Sequence, residues 1–287
     1  MEHGEDRWDT YPARRSADEV HALLMHRLQK PLQGSIMTKT LEGKVTLITG
    51  GSRGLGAAIA LAFAEQGSDV AITYVASAEK AAAVVEQASA KGVRAIAIQC
   101  DQGDPSAADD LIREVVAQLG KLDILVNNAG IAVQGTRIDD SEVDNAALDR
   151  QWTINTLGVV ANIRAAVKVL PDGGRIISIG SGLSSRVLFP GTADYAGSKA
   201  AIVSYSKGAA RDLGPRNITV NVVQPGIMPT DMAAASAEQI PAAVLDLHPI
   251  RRIATLKEVA ASVIYLAGPD AGYISGSIID VSGGVLS

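Results

Sequence analysis

From Lys44 onward, short apolar runs alternate with Ala-rich stretches whose apolar residues recur every three or four positions. The runs KVTLIT (44–49), DVAITY (69–74), RAIAIQ (94–99), DILVNN (123–128), RIISIG (175–180), ITVNVV (218–223) and SIIDVS (277–282) are short and almost uniformly apolar. That pattern predicts strands covered on both faces, as in a parallel sheet, rather than strands with one wet face. The 3.6-residue period between the early runs predicts helices over 54–65, 78–91 and 105–119. Seven strands alternating with helices predict an α/β fold: a doubly wound parallel sheet. Its ligands are expected at the carboxyl ends of the strands, near the point where strand order reverses.

The pattern changes ahead of Met37. Residues 1–36 are polar and hold His3, His21 and His26, three of the four histidines. Within them, SADEVHALLMHRLQK opens with a capping box, Ser16 with Glu19, followed by Val20, Leu23, Leu24 and Leu28 at helical spacing. We therefore expect an N-terminal extension over 1–36, with one short amphipathic helix, and a single domain over 37–287. A helix that docks on a neighbour and a frayed leader both fit that extension. His21 and His26 are five apart, about 140° around a helix, which argues against a shared metal.

Composition narrows the classes. A chain of 287 residues that is 47% hydrophobic can bury one large core. Its 26 basic and 31 acidic residues leave a net charge of -5, which disfavours nucleic acid or an anionic membrane as partner. Cys100 is the only cysteine, so an intramolecular disulfide and a Cys-based zinc site are both excluded. That usage fits a reducing cytoplasm, and no apolar run approaches the roughly 18 residues of a membrane span.

Two stretches carry chemistry. TGGSRGLG, residues 49–56, joins the first strand to the first helix, where an open α/β sheet places its phosphate site. Gly50, Gly54 and Gly56 permit a sharp turn and close backbone approach to a pyrophosphate, with Ser52, Arg53 and Leu55 between them. The spacing G-x-x-x-G-x-G differs from the common G-x-G-x-x-G, so this loop alone is a weak signal. Further on, Tyr195 and Lys199 stand four apart and leave the same face of a helix. A phenol with a pKa of about 10 is a poor proton exchanger near neutrality. A neighbouring ammonium favours phenolate, and a drop of about three units corresponds to about 4 kcal/mol. The pair is thus a candidate general acid/base, preceded by Ser181, Ser184 and Ser185.

TGGSRGLG, NNAG (127–130), Y-x-x-x-K (195–199) and PG (225–226), in that order, resemble the short-chain dehydrogenase/reductase family over roughly residues 41–287. The resemblance implies a Rossmann-type fold with strand order 3-2-1-4-5-6-7, a nicotinamide cofactor, and a homotetramer or homodimer. It places Asp101, with Gln102, at the adenine, and Asn128, Ala129 and Gly130 in the turn that supports the adenosine side. Pro225 and Gly226 shape the turn after the sixth strand, and Thr230 contacts the nicotinamide side. Tyr195 exchanges the proton and Lys199 also binds the nicotinamide ribose. Asn155, in INTLG, holds a water that links Lys199 to solvent, and a serine hydroxyl holds the substrate oxygen.

That serine is expected to be Ser181. In much of the family it lies thirteen residues before the tyrosine, and that place is Gly182 here. Ser181 nonetheless directly follows the strand RIISIG, and a loop absorbs an extra residue more easily than a strand end moves. Ser184 and Ser185 then read as loop hydroxyls. Cofactor choice can be argued from charge: an NAD site usually ends its second strand in an acid that binds the ribose 2′-OH. Tyr74 stands there, and with Arg53 and Ser77 nearby NADP(H) is favoured over NAD(H). Cys100 reads as a buried small apolar residue, and His248 as a surface residue of the lid, whose Ala-rich part spans Met232 to Leu247. In the family's C-terminal IDVSGG, Ser282 replaces a frequent Asp.

The function expected is interconversion of a carbonyl and a secondary alcohol, with a 3-oxoacyl thioester or small ketone as substrate. The alternative on the same fold is a non-catalytic nucleotide-binding regulator, which would need none of Ser181, Tyr195, Lys199 and Asn155.

Overall fold

A computed structural model describes residues 39–229 and 242–287. The extension over 1–36 therefore lies outside the described residues, as do Thr230 and most of the expected lid. Lys39–Ser287 forms one compact unit.

Each early apolar run becomes a strand and each periodic stretch a helix. The order is β1 (Val45–Ile48), α1 (Gly54–Glu65), β2 (Asp69–Tyr74), α2 (Ala78–Ser89), β3 (Ala95–Gln99), α3 (Ala108–Leu119) and β4 (Ile124–Asn127). A long helical segment follows, in which α4 (Asn145–Trp152) passes through a π-helical turn (Thr153–Gly158) into α5 (Val159–Ala166). Then come β5 (Arg175–Ile179), α6 (Ala193–Leu213), β6 (Thr219–Pro225), α7 (Ala242–Leu245), α8 (Leu256–Ala267) and β7 (Ile278–Val281). The expected helix over 105–119 begins instead as a 3-10 turn, Pro105–Ala107, because Asp104 accepts the Ser106 N–H and Pro105 starts a tight turn.

The strands form one sheet in the order β3-β2-β1-β4-β5-β6-β7, and every pairing is parallel. Alternation along each strand feeds two cores. Ile48, Ile72, Val126 and Ile177 point to the face covered by α1, α2 and α8, where Ile59, Phe63 and Val263 are fully buried. Leu47, Ala71, Leu125 and Ile176 point to the opposite face, against Leu111, Val115, Ile163 and Ile202 of α3, α5 and α6. Burying each such large side chain contributes about 1.5–3 kcal/mol, which holds the strand ends in register under the loops that follow them. The reversal of strand order falls between β1 and β4, so the loops after those two strands diverge and leave a cleft. Among the described residues no helix is long and apolar enough to cross a membrane.

Candidate active site

The glycine loop is suspended between two strand ends. After β1 the chain turns at Gly50, whose φ of 66° suits a glycine. The Gly50 N–H donates to Thr73 Oγ1 and the Gly51 N–H to the Thr73 carbonyl, both at 2.9 Å, which pins the loop to β2. On the other side, Asn128 Nδ2 donates to the carbonyls of Thr49 and Gly50 at 2.9 and 3.1 Å. Thr49 Oγ1 returns the link by accepting the N–H groups of Asn128 and Ala129 at 3.1 and 3.0 Å. Gly56 lets α1 close onto this knot: a Cβ there would stand 2.2 Å from the Gly50 oxygen and 2.6 Å from Asn128 Nδ2. The side chain of the N-cap, Arg53, makes no cap hydrogen bond, so the α1 N-terminus keeps backbone donors for an anion.

A cleft of about 600 Å³ runs along the carboxyl ends of the strands. Gly50, Ser52, Arg53, Gly54, Leu55 and Gly56 line it on the loop side, with Tyr74 and Ser77 after β2. Asp101 and Gln102 line it after β3, Asn128, Ala129 and Gly130 after β4, and Tyr195, Lys199 and Pro225 at the far end. Its size is that of a site that engulfs a small organic ligand, and the side-chain-free wall at Gly50 and Gly56 fits a pyrophosphate. Ser181, Asn155 and Gly226 are not among the residues that line it. Cys100, expected to be buried, is only half-buried and lines the cleft. Burial, helped by the Asp101 carboxylate, pushes its thiol upward, which favours the neutral thiol over the thiolate.

Sequence reasoning missed Thr73, which anchors the loop, and Arg150, which lines the cleft from α4. Arg150 donates to Asp101 Oδ2 at 2.9 Å, while Asp101 Oδ1 accepts the Gly103 N–H at 2.8 Å. The Gly103 N–H, then Arg150, holds the Asp101 carboxyl below its usual range. Gln102 is buried, and its Nε2 donates to the carbonyls of Ala129 and Ile154, both at 2.9 Å. That side chain ties the ends of β3 and β4 to the π-helical turn; its own contribution to the cleft is surface.

At the other end, α6 presents Tyr195 and Lys199 on one face, both buried at 9% and 5% exposure. Lys199 Nζ donates to the Ile179 carbonyl at 3.0 Å, and burial pulls its pKa from 10.5 down to about 8. Burial pushes the Tyr195 phenol upward, opposed by its hydrogen bond with Ser181. Burial is thus the dominant influence on the phenol in the protein alone, whereas the expected lowering needs Lys199 and a positive nicotinamide together. Ser181 is the serine that meets Tyr195. Ser184 Oγ is occupied by the Ser181 carbonyl at 2.7 Å and by Gln224 Nε2, and Ser185 Oγ donates to Gln224 Oε1 at 3.0 Å.

Asn155 is fully buried on the π-helical turn, a widened geometry that recurs at functional sites. Its Oδ1 accepts the Ile131 N–H and its Nδ2 donates to the Ile131 carbonyl, both at 2.9 Å, with Ser198 Oγ at 3.2 Å. Gly130 brings it close to the lysine, for a Cβ there would lie 3.1 Å from Asn155 Oδ1 and 3.2 Å from Lys199 Nζ. His248, expected at the surface, is buried at 4% exposure with Nδ1 against the Val244 carbonyl at 2.9 Å. Gly283 packs close by, a Cβ there standing 3.7 Å from His248 Cδ2, and His248 does not line the cleft.

The lysine carries a stability consequence. The unfolded chain keeps its Lys proton up to about pH 10.5, whereas folded Lys199 releases it near 8. Stability therefore rises with pH between those values, and below pH 8 the buried charge costs about 3 kcal/mol. Lys199→Met forgoes the bond to Ile179, worth about 1 kcal/mol. It is expected to exceed wild type in urea stability at pH 7 by about 2 kcal/mol, with the gap closing toward pH 10. A gap that is absent at pH 7, or equal at both pH values, would contradict this.

A glycine turn at the head of a doubly wound sheet, leading along one cleft to a buried Tyr–Lys pair, defines a nucleotide-dependent enzyme of the Rossmann class. The family model described as enoyl-(acyl carrier protein) reductase matches residues 50–286. The chain belongs to the short-chain dehydrogenase/reductase family of nicotinamide-dependent oxidoreductases. It is 41% identical over 256 residues to versicolorin reductase 1 of Aspergillus parasiticus, covering 85% of this chain and 97% of that protein. It is 40% identical over 246 residues to the 3-oxoacyl-(acyl-carrier-protein) reductase of Staphylococcus aureus, covering 84% of this chain and 98% of that one. A short-chain dehydrogenase from Burkholderia cenocepacia, solved in complex with NADP, superimposes with a TM-score of 0.81 at 45% identity. That superposition covers 86% of this chain and 100% of the other.

Proposed function

We propose that the protein is an NADP(H)-dependent reductase that converts a carbonyl to a secondary alcohol, acting on a 3-oxoacyl thioester or small ketone. The observation that carries this reading is Tyr195, buried at the end of the cleft with Ser181 on its phenol and Lys199 one helical turn away. Gly50, Gly54 and Gly56 with the α1 N-terminus hold the pyrophosphate, Asp101 and Gln102 flank the adenine, and Asn128, Ala129 and Gly130 support the adenosine. Pro225 and Gly226 border the nicotinamide; Thr230, outside the described residues, is assigned to the same side by the family resemblance. The chemistry a nicotinamide nucleotide supplies when bound is a two-electron hydride equivalent for the substrate carbon.

The protein's residues do the rest. Ser181 Oγ donates to the substrate oxygen and fixes it beside the phenol. Tyr195 Oη gives its proton to that oxygen as negative charge develops, and a high phenol pKa suits the acid role in reduction. Lys199 Nζ, with a pKa of about 8, is balanced between charged and neutral forms near physiological pH and can return a proton to the phenol side. Asn155, fixed by Ile131 and Ser198, places the water through which that proton is replaced.

The NADP reading rests on Tyr74 at the end of β2 and on Arg53, which lines the same cleft. A carboxylate at 74 would repel a 2′-phosphate and accept a 2′-OH instead. Tyr74→Asp is expected to raise the KM for NADPH at least about tenfold, near 1.4 kcal/mol, and to lower that for NADH. Unchanged KM values for both cofactors would remove Tyr74 from the argument. The reading as a whole is tested by following absorbance with NADPH and NADH in parallel over a panel of 3-oxoacyl esters and ketones. Binding of NADPH without turnover of any of them would favour the regulatory alternative. We also propose a homodimer or homotetramer in the cytoplasm, which light scattering and cell fractionation check.

A further inference from the structure

Residues 282–287, which follow β7, touch three parts of the candidate site at once. Ser282 packs against the turn after β6: a Cβ on Gly226 would stand 3.0 Å from the Ser282 Cα. The Gly283 carbonyl accepts the Ile250 N–H at 3.0 Å, and a Cβ on Gly284 would fall 2.9 Å from Pro249 Cγ. Gly283 and Gly284 have φ of 63° and 85°, so this sharp, close path requires glycine. The Val285 carbonyl then accepts from Arg186 Nη1 at 3.1 Å. Finally the Leu286 side chain lies over Gly182, its Cδ2 3.4 Å from where a Cβ on that residue would stand. Val285 is buried and Leu286 half-buried.

Gly182 is the residue next to Ser181, and Ser181 caps the 3-10 turn that begins there by accepting the Leu183 N–H at 3.3 Å. One side of this loop is fixed by Gln224 of β6, through Ser184 and Ser185. The other side meets Leu286. Resting on the reading that Ser181 holds the substrate oxygen, we infer that Leu286 is a positioning and specificity-determining residue. It bears on the loop through Gly182, sets the aim of Ser181, and limits the width of the pocket on that side. The missing side chain at 182 and the leucine at 286 are two halves of one contact, since a larger residue at 182 would claim the space Leu286 fills.

The test uses the full chain with NADPH and two 3-oxo esters, ethyl acetoacetate as the small one and ethyl benzoylacetate as the bulky one. Leu286→Ala is expected to raise the kcat/KM ratio of bulky to small ester at least fivefold, with kcat for the small ester reduced and NADPH affinity within twofold of wild type. Leu286→Met is expected to restore the wild-type ratio. Gly182→Val is expected to lower kcat/KM for both esters at least tenfold, and adding Leu286→Ala to recover at least fivefold of that loss. Strictly additive effects, or a Leu286→Ala ratio equal to wild type, would overturn the inference. Ser181→Ala separates the two levels of argument. If it leaves kcat unchanged, the serine assignment itself fails. If it abolishes turnover while the Leu286 variants keep the wild-type ratio, only the positioning role fails.

Discussion

Tyr195→Phe is expected to lower kcat about 10³-fold, within the range a positioned general acid supplies, while NADPH affinity changes less than threefold. The substitution removes one oxygen from a side chain that is 9% exposed and already packed in a ring-shaped site, so the fold has no reason to change. What disappears is the proton for the developing alkoxide and the partner of the Ser181 hydroxyl. Lys199 cannot take over. It is buried, and its amine is engaged by the Ile179 carbonyl at 3.0 Å. Single-turnover absorbance with ethyl acetoacetate reads the chemical step, and fluorescence of bound NADPH reads the binding step. Activity within tenfold of wild type would show that the proton comes from elsewhere and would remove Tyr195 from the mechanism.

In the proposed mechanism Tyr195 gives the proton and Lys199 replaces it, and the direction of the two shifts supports that second step. Burial acts oppositely on the two groups, because each is driven toward its neutral form: the phenol upward, the ammonium downward. The result reverses the order of an ammonium and a phenol whose ordinary values are 10.5 and 10.0: it leaves the lysine the more acidic partner. A proton given by Tyr195 to substrate is then replaced downhill from the lysine side. The cost is the destabilisation that Lys199→Met relieves, so stability and proton supply are set against each other at one residue.

The sheet was legible because buried parallel strands leave a signature in each run of residues separately: Leu47 faces one core and Ile48 the other, and both must be apolar. The glycine loop was legible for the same reason, as its turn, its glycines and its helix are contiguous. The partners that hold the site together were not. Thr73 anchors Gly50 from 23 positions away, Arg150 reaches Asp101 over 49, and Gln102 reaches Ile154 over 52. A threonine in a strand or an arginine on an amphipathic helix has no local pattern that sets it apart from its neighbours. His248 shows the converse: a lone histidine in a polar stretch reads as exposed, yet the ring is buried, with Gly283, 35 positions on, packed close to it.

Gly56→Ala is expected to abolish measurable NADPH binding, a loss of at least about 100-fold or 2.7 kcal/mol, although it adds a single methyl. The added Cβ would stand 2.2 Å from the Gly50 carbonyl oxygen, 2.9 Å from its carbon and 2.6 Å from Asn128 Nδ2. None of these is the free end of a flexible chain. The oxygen is backbone, and the amide is held by Thr49 and Gly50 carbonyls. Either α1 must withdraw from the loop, or the loop must leave Asn128 and with it the turn after β4. Both displace the N–H groups that face the phosphates, and forced overpacking of this kind costs about 1–3 kcal/mol of stability besides. Gly208→Ala is the control. It lies exposed within α6 with nothing within 4 Å of the added methyl, so it is expected to leave NADPH binding intact and to stabilise by about 0.5–1 kcal/mol. Calorimetric titration with NADPH and thermal melts of the two variants check the pair. A Gly56→Ala protein that binds NADPH within threefold of wild type would mean that the glycine loop does not hold the phosphates.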